Sequence, residues 1–432
     1  MSALFVALML PLLAAVHYYV WRRTVRDTTV RGSRPRRIGT AVIMLLGLCL
    51  VLAPPGEWTL PRPLAVAVVW AGFLWAAVLL YLTLALLVGE AVRPLLLRAA
   101  RHRPAAAAPP AAEPAQVPAP VPAPAAVPGT GTGTGTAAEE GTAAAGTAHT
   151  AQAAVPDPSR RLFVARGIAL AAGAAAAATV GHGARTALGP PRLKHLTVPL
   201  TRLDPRAHGF RIALVSDIHL NTIAGRARTE QIVDLINGTE PDLVAVVGDL
   251  VEDGSVRDMG RAAEPLARLR AAHGSFFVTG NHEYHAGAEQ WLDLVRDLGL
   301  RPLENEHVAL EGFDLAGVND VTGEEHGQGP DYDAALAGRD PDRAVVLLAH
   351  QPVQVHEAAE RDVDLQLSGH THGGQFWPFT YLPALSQPTV AGLDRYGDTQ
   401  LYVTRGTGFW GPPVRVGADP DITVVELASP RA

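Results

Sequence analysis

The stretch from Leu64 to Val88 contains no charged residue, and two further apolar runs, Ala3 to Trp21 and Ile38 to Ala53, precede it. A helix needs about 20 mostly apolar residues to cross the roughly 30 Å hydrocarbon layer of a bilayer. The first and third runs meet that length and the second only just does. The amino-terminal part of the chain therefore has to fold in a membrane. A secretory leader would supply one such run, not three.

The charges between the runs orient them. The loop RRTVRDTTVRGSRPRR carries seven arginines and one acid, whereas PPGEWTLPRP carries a single arginine. The excess of cations assigns the first loop to the cytoplasm and the amino terminus to the opposite side. The third helix then returns the chain to the cytoplasm, where Arg93, Arg98, Arg101 and Arg103 follow it.

Four segments are expected. Residues 1–103 form a membrane region with three transmembrane helices, and residues 104–158 form a linker of Ala, Pro, Gly and Thr that cannot bury enough apolar surface to order itself. Residues 159–189 begin with Ser-Arg-Arg-Leu-Phe, similar to a twin-arginine export signal, and continue as an Ala- and Gly-rich run from Gly167 to Ala184 that we read as a fourth crossing. Residues 193–432 form a separate domain, expected on the extracytoplasmic side. Cys49 is the sole cysteine, so no intrachain disulfide is possible. The net charge of −6 gives no case for nucleic-acid binding.

Beyond Leu193 the pattern changes to short apolar runs alternating with helical periodicity, which predicts an α/β domain whose sheets are covered by helices. The strand candidates are Phe210 to Leu220, Asp242 to Leu250, Gly274 to His282, Asp314 to Asp320, Ala344 to His350, Val363 to His372, Leu401 to Gly406 and Ile422 to Leu427. Several end in side chains able to ligate metal: Asp217 and His219, Asp249, Asn281 and His282, His350, then His370 and His372. Ligands of open α/β sheets bind at the carboxyl ends of strands, so these positions can meet. On extended backbone, residues two apart share a face, which would aim Asp217 with His219, and His370 with His372, at common points. Gly248 leaves room for Asp249 to turn inward.

In this order the motifs SDIHL, GDLVED, GNHEY, AHQP and GHTHGGQ resemble the calcineurin-like metallophosphoesterase superfamily, with LYVTRGTG and the apolar amino terminus resembling its membrane-anchored bacterial branch. The resemblance spans about Gly209 to Leu427. It implies a four-layer α/β/β/α sandwich and two divalent metal ions, either Mn, Fe, Zn or Co. Asp217, His219 and His372 would hold the first ion, Asn281, His350 and His370 the second, and Asp249 would bridge them. His282 would face the substrate as the catalytic residue. Such a pair of cations lowers the pKa of a bridging water and neutralises the phosphoryl oxygens, giving hydrolysis of a phosphate mono- or diester.

Purple acid phosphatases place a tyrosine ligand three residues after the bridging aspartate, and here that position is Glu252. Glu252 and Asp253 are expected outside the ligand set. His285, His307, His326 and His356 are expected on the surface, with His285 able to border the pocket. Trp377, Phe379 and Tyr381 could wall a lipid tail, with core packing the favoured role. Competing functions are an inactive scaffold or a membrane sensor; the first predicts lost ligands, and none is missing. A translocation path is disfavoured because the apolar runs carry few ionisable groups besides His17. Tethering favours a lipid-linked or cell-wall phosphoester; monoester or diester preference and oligomeric state stay open.

Overall fold

A computed structural model describes residues 3–102 and 158–432. The linker expectation for 104–158 lies, apart from Pro158, outside the described residues. The apolar runs form helices α1 (Ala3–Trp21), α2 (Arg34–Thr59) and α3 (Arg62–His102), and the twin-arginine segment opens α4 (Pro158–Leu188). Among the described residues, three helical segments are long and apolar enough to cross a membrane: Arg34–Glu57, Arg62–Arg98 and Arg160–Leu188.

Close packing in this region depends on small residues, as expected where no hydrophobic effect drives helices together. A β-carbon on Gly72 of α3 would come 2.5 Å from the Cys49 carbonyl of α2. One on Gly89 would come 2.4 Å from Ile168 of α4. Arg23 pairs with Glu90 at 2.8 Å, and Arg166 Nε donates to the Thr28 carbonyl at 3.0 Å. The arginine-rich loop, the end of the third apolar run and the start of α4 thus share one end of the bundle.

The rest of the chain runs β1 (Arg192–Pro199), β2 (Arg211–Val215), α5 (Arg226–Gly238), β3 (Leu243–Val247), α6 (Val256–Ala263), β4 (Ser275–Val278), α7 (Asn281–Ala286), α8 (Ala288–Asp297), β5 (Arg301–Pro302), β6 (Glu306–Leu310), β7 (Phe313–Gly317), α9 (Tyr332–Ala335), β8 (Ala344–Leu348), α10 (Val355–Ala359), β9 (Leu365–Ser368), β10 (Gly392–Tyr396), β11 (Thr399–Val403) and β12 (Asp421–Ala428). One six-stranded sheet has the order β1-β12-β2-β3-β4-β5, the other β10-β11-β9-β8-β7-β6. In the first, β2 to β5 run parallel and β12 is antiparallel to β2. In the second, β7, β8, β9 and β11 run parallel.

Side-chain parity sets the layers. Ile212, Leu214, Leu243, Ala245 and Val247 join Phe313, Leu315, Val346 and Leu367 in one core between the sheets. The alternate residues Ala213, Val215, Val244 and Val246 pack on Ile232, Val233 and Ile236 of α5 and on Trp291 and Val295 of α8. Across the molecule, Ala316, Val345 and Leu347 pack on Tyr332, Ala335 and Ala358. Both faces of each sheet are therefore buried, which is why the strands read as continuous apolar runs rather than as an alternation. The outcome is four layers, α/β/β/α.

Trp291 is fully buried, and its Nε1 donates to the Gly254 carbonyl at 3.1 Å. Trp291→Ala should lower stability by about 3–5 kcal/mol, the usual range for emptying an aromatic core site. A thermal scan of the detergent-solubilised chain should show a lower Tm, and an unchanged Tm would contradict the packing described.

Candidate metal centre

The parallel strands of both sheets release their chains at one edge, and each candidate ligand lies just past a strand end. Asp217 and His219 follow β2, Asp249 follows β3, and Asn281 and His282 follow β4. His350 follows β8, and His370 and His372 follow β9. The sheet pairing that buries the core is what brings these segments together.

Extended backbone does not aim the side chains, contrary to the expectation from spacing. The strands stop short of the ligands, and Asp217, His219, Asp249, His370 and His372 all have left-handed backbone, with φ of 53°, 49°, 55°, 70° and 52°. Such conformations cost of order 1–3 kcal/mol each and persist only when the surroundings fix them. Here backbone amides do so: Asp217 N donates to Gly248 O at 3.1 Å, His219 N to Asp249 O at 3.1 Å, and Gly408 N to Asp217 O at 2.7 Å. Gly248 is required at its turn as expected, since a β-carbon there would come 2.5 Å from His350 Nδ1.

All seven candidate ligands come together. Ligand atoms of Asp217, His219 and His372 lie within 4.8 Å of one another, as do those of Asp249, His350 and His370. His370 Nδ1 is 2.9 Å from Asn281 Oδ1. Asp249 Oδ2 is 3.6 Å from His219 Nε2 and 3.1 Å from His350 Nε2, between the two groups. His282 also forms a group with His219 and Asp249, and its backbone N donates to Asp249 Oδ1 at 3.0 Å. Its Nδ1 donates to the Glu252 carbonyl, which leaves Nε2 as its free ring atom.

The electrostatics suit a cation. Burial, then the charge of His282, drives the His219 pKa well below normal. Burial and the Arg415 guanidinium do the same to His372, and burial with His350 lowers His370 to about 4. These rings are neutral at pH 7, the form that ligates metal. Burial alone would raise Asp249, but the neighbouring His350, His282 and His219 outweigh it and hold the carboxylate charged. Asp249 in turn outweighs burial at His350 and holds that ring protonated; a divalent cation would take over that positive charge and release the proton. His219 Nδ1 and His350 Nε2 are buried with no hydrogen-bond partner. A donor set of imidazole and carboxylate without thiolate fits a borderline divalent metal.

Two supporting side chains escaped the sequence reading. Glu283 is fully buried and accepts from the backbone N of Asp249, Leu250 and Gly280 at 2.9, 2.8 and 2.7 Å. Burial and Asp249 push its pKa up to about 7. Its signal was adjacency to His282 in GNHEY. Arg415, also fully buried, donates to the His372 carbonyl at 2.9 Å, and its guanidinium lies 2.9 Å from His372 Nδ1. Nothing in the sequence around Arg415 marks it.

Glu252 lies outside the ligand groups, as expected, but it is not solvated: it accepts from Asn221 Nδ2 at 2.8 Å and Gly411 N at 2.9 Å, and burial raises its pKa to about 7. The His285 ring centre is 5.6 Å from that of His282, at the border of the site. His326 and His356 are exposed as expected, against Tyr284 and Tyr396, whereas His307 is half-buried with Nδ1 2.9 Å from the Ala335 carbonyl. The core-packing role favoured for Trp377, Phe379 and Tyr381 does not hold: they are 49%, 39% and 72% exposed. Their loop turns back on Gly374, where a β-carbon would meet Thr380 Cα at 2.2 Å, and so directs the rings outward.

Asp249→Asn removes the charge shared by both ligand groups. Divalent-metal affinity of the purified chain should fall more than tenfold, the lower end of what disturbing ligand support costs. Titration followed by elemental analysis reads this directly, and undiminished binding would remove Asp249 from the site.

The calcineurin-like phosphoesterase family model matches residues 210–374. A transmembrane protein with metallophosphoesterase domain from Danio rerio is 37% identical over 260 residues, covering 57% of this chain and 59% of that protein. This chain thus spans under two thirds of that relative's length. The uncharacterized metallophosphoesterase of Aquifex aeolicus is 33% identical over 241 residues, with 55% and 91% covered. YkuE of Bacillus subtilis, also an uncharacterized metallophosphoesterase, is 31% identical over 282 residues, with 63% and 98% covered. The match runs nearly end to end in the last two, and with the site geometry it means that this chain belongs to the calcineurin-like phosphoesterase family.

Proposed function

We propose that the chain is a membrane-anchored phosphoesterase using two divalent cations, drawn from Mn, Fe, Zn or Co, to hydrolyse a phosphate mono- or diester. The observation that carries this reading is Asp249 Oδ2 lying between two groups of histidine and carboxylate donors. Asp217, His219 and His372 would hold one cation, Asn281, His350 and His370 the other, and Asp249 would serve both. When bound, the cations supply Lewis acidity toward the phosphoryl oxygens and a water of lowered pKa as nucleophile.

The protein's own groups do the rest. His282 acts on the leaving oxygen. Burial opposes its charge, but Asp249 and the Glu252 carbonyl outweigh burial and raise its pKa, which favours the protonated ring. With Nδ1 committed to the Glu252 carbonyl, the Nε2 proton is the one to move. As the phosphorus–oxygen bond breaks, that proton passes to the departing alkoxide. Glu283 fixes the Asp249 loop through three amides, and Arg415 orients His372.

His282→Ala should keep its bound metal and lose about a hundredfold or more in turnover of an ester with a poor leaving group. An activated aryl phosphate should lose less, because its leaving oxygen needs little protonation. The wild-type rate on the poor ester should fall as pH rises through the raised His282 pKa, where the acid loses its proton, and the variant should lack that limb. Loss of metal would make His282 a ligand instead.

Anchoring is read from the helices, and the catalytic domain is assigned to the extracytoplasmic side. The support is that α4 starts beside the arginine-rich loop, through Arg166 and Thr28, and ends at the catalytic domain. Protease added to intact protoplasts should cleave the wild-type domain and spare a chain carrying Arg160→Lys and Arg161→Lys. Equal protection of both would overturn this topology.

A further inference from the structure

A cleft of about 720 Å3 lies between α1 and α2, with Leu10, Leu13 and Ala14 on one wall and Ile43, Met44 and Leu48 on the other. Sites for small molecules usually enclose about 300–1,000 Å3. Trp21 of α1 also lines the cleft, and from Leu10 to Trp21 the helix rises about 16 Å at 1.5 Å per residue. That is half of the roughly 30 Å hydrocarbon layer, the depth of one leaflet.

The polar groups in the lining are already engaged. His17 Nδ1 donates to the Leu13 carbonyl at 2.8 Å, and its Nε2 accepts from Trp75 Nε1 of α3 at 2.9 Å. Trp21 Nε1 donates to Thr40 Oγ1 at 2.9 Å, and Thr40 Oγ1 donates to the Arg36 carbonyl at 2.7 Å. His17, the ionisable group that stands out in the apolar runs, is thus spent on tying α1 to α3. A cleft whose polar groups are satisfied gives water no purchase and suits an apolar chain.

One end of the cleft is different. The Arg36 guanidinium lies over the Trp21 ring, 5.9 Å from its centre. The acids of this end of the bundle are taken: Asp27 pairs with Arg23, and Glu90 with Arg23 and Arg93. Among the described residues, Arg36 and its neighbours Arg22 and Arg37 have no acid partner. The arginine excess assigns this end to the cytoplasmic side, where the leaflet carries anionic lipid and basic pockets between membrane helices bind lipid headgroups.

We infer that the cleft between α1 and α2 holds one acyl chain of an anionic glycerophospholipid from the leaflet on the arginine-rich side, with its phosphate at Arg36. This lipid is a ligand of the anchor and not a substrate, so the inference goes beyond the phosphoesterase reading and does not rest on it.

Native mass spectrometry tests it on the full-length chain, delipidated in detergent and titrated with dioleoyl phosphatidylglycerol or with dioleoyl phosphatidylcholine, which has the same chains. The first phosphatidylglycerol should bind about fivefold or more tighter than the first phosphatidylcholine, the margin that one cation near the surface supplies. Arg36→Gln should abolish the preference. Its thermal transition should match wild type, because among the described residues the Arg36 guanidinium makes no hydrogen bond or ion pair. Ala14→Trp fills the cleft and should weaken both lipids alike. Should that variant lose its thermal transition, Met44→Trp takes its place, since Met44 lines the cleft with its side chain 71% exposed.

Equal binding of the two lipids by wild type, or a preference that survives Arg36→Gln, would overturn the headgroup's place. Undiminished binding in the tryptophan variant that folds would overturn the chain's seat in the cleft. Glycerol 3-phosphate alone binding as tightly as phosphatidylglycerol would overturn it too, by showing a phosphate site that needs no chain.

Discussion

A buried carboxylate without a compensating charge is among the most costly features a fold can contain. Asp217 and Asp249 are both buried within one small volume, and among the described residues their ionic partners are histidines only. Burial raises the Asp217 pKa to about 6, with Asp249 adding to the push. Divalent metal bound there would resolve the conflict, because it would satisfy the carboxylates and the imidazole lone pairs together. The left-handed turns, the glycines beside them and the three amides on Glu283 all serve to hold that arrangement in place before a cation arrives.

The two sheets explain why the arrangement is possible. Each sheet alone would offer only part of the donors: β2, β3 and β4 deliver one set, β8 and β9 the other. Stacking the sheets through the Ile212, Leu214, Phe313 and Leu315 core aligns their carboxyl edges, so hydrophobic packing and metal binding are coupled. A loosened core would separate the histidines of one sheet from the aspartates of the other without altering a single donor.

Much of this was legible in the sequence. The continuous apolar strands, the order of the motifs and the seven donor positions that the structure brings together could be read because each depends on local composition. The mechanism of convergence could not, since alternation predicts a shared face on extended chain, whereas the turn geometry depends on Gly248 and on amides from distant segments. Arg415 was missed for a related reason: a charged side chain in the interior is defined by what surrounds it, and nothing local distinguishes it from a solvated one, whereas Glu283 at least adjoined His282 in GNHEY. Trp377, Phe379 and Tyr381 were misjudged because apolar side chains normally go inward, whereas this loop leaves them exposed.

The junction between α4 and β1 has a further consequence. Three residues separate Leu188 from Arg192, while Gly183 O accepts from Arg415 N and Gly189 O from Arg228. With α4 crossing a membrane as proposed, a domain so closely joined to that helix would stay beside the membrane surface. Its encounters with anything carried by that surface would then be confined to two dimensions, their rate set by how many molecules share the plane and unchanged by diluting the surrounding solution.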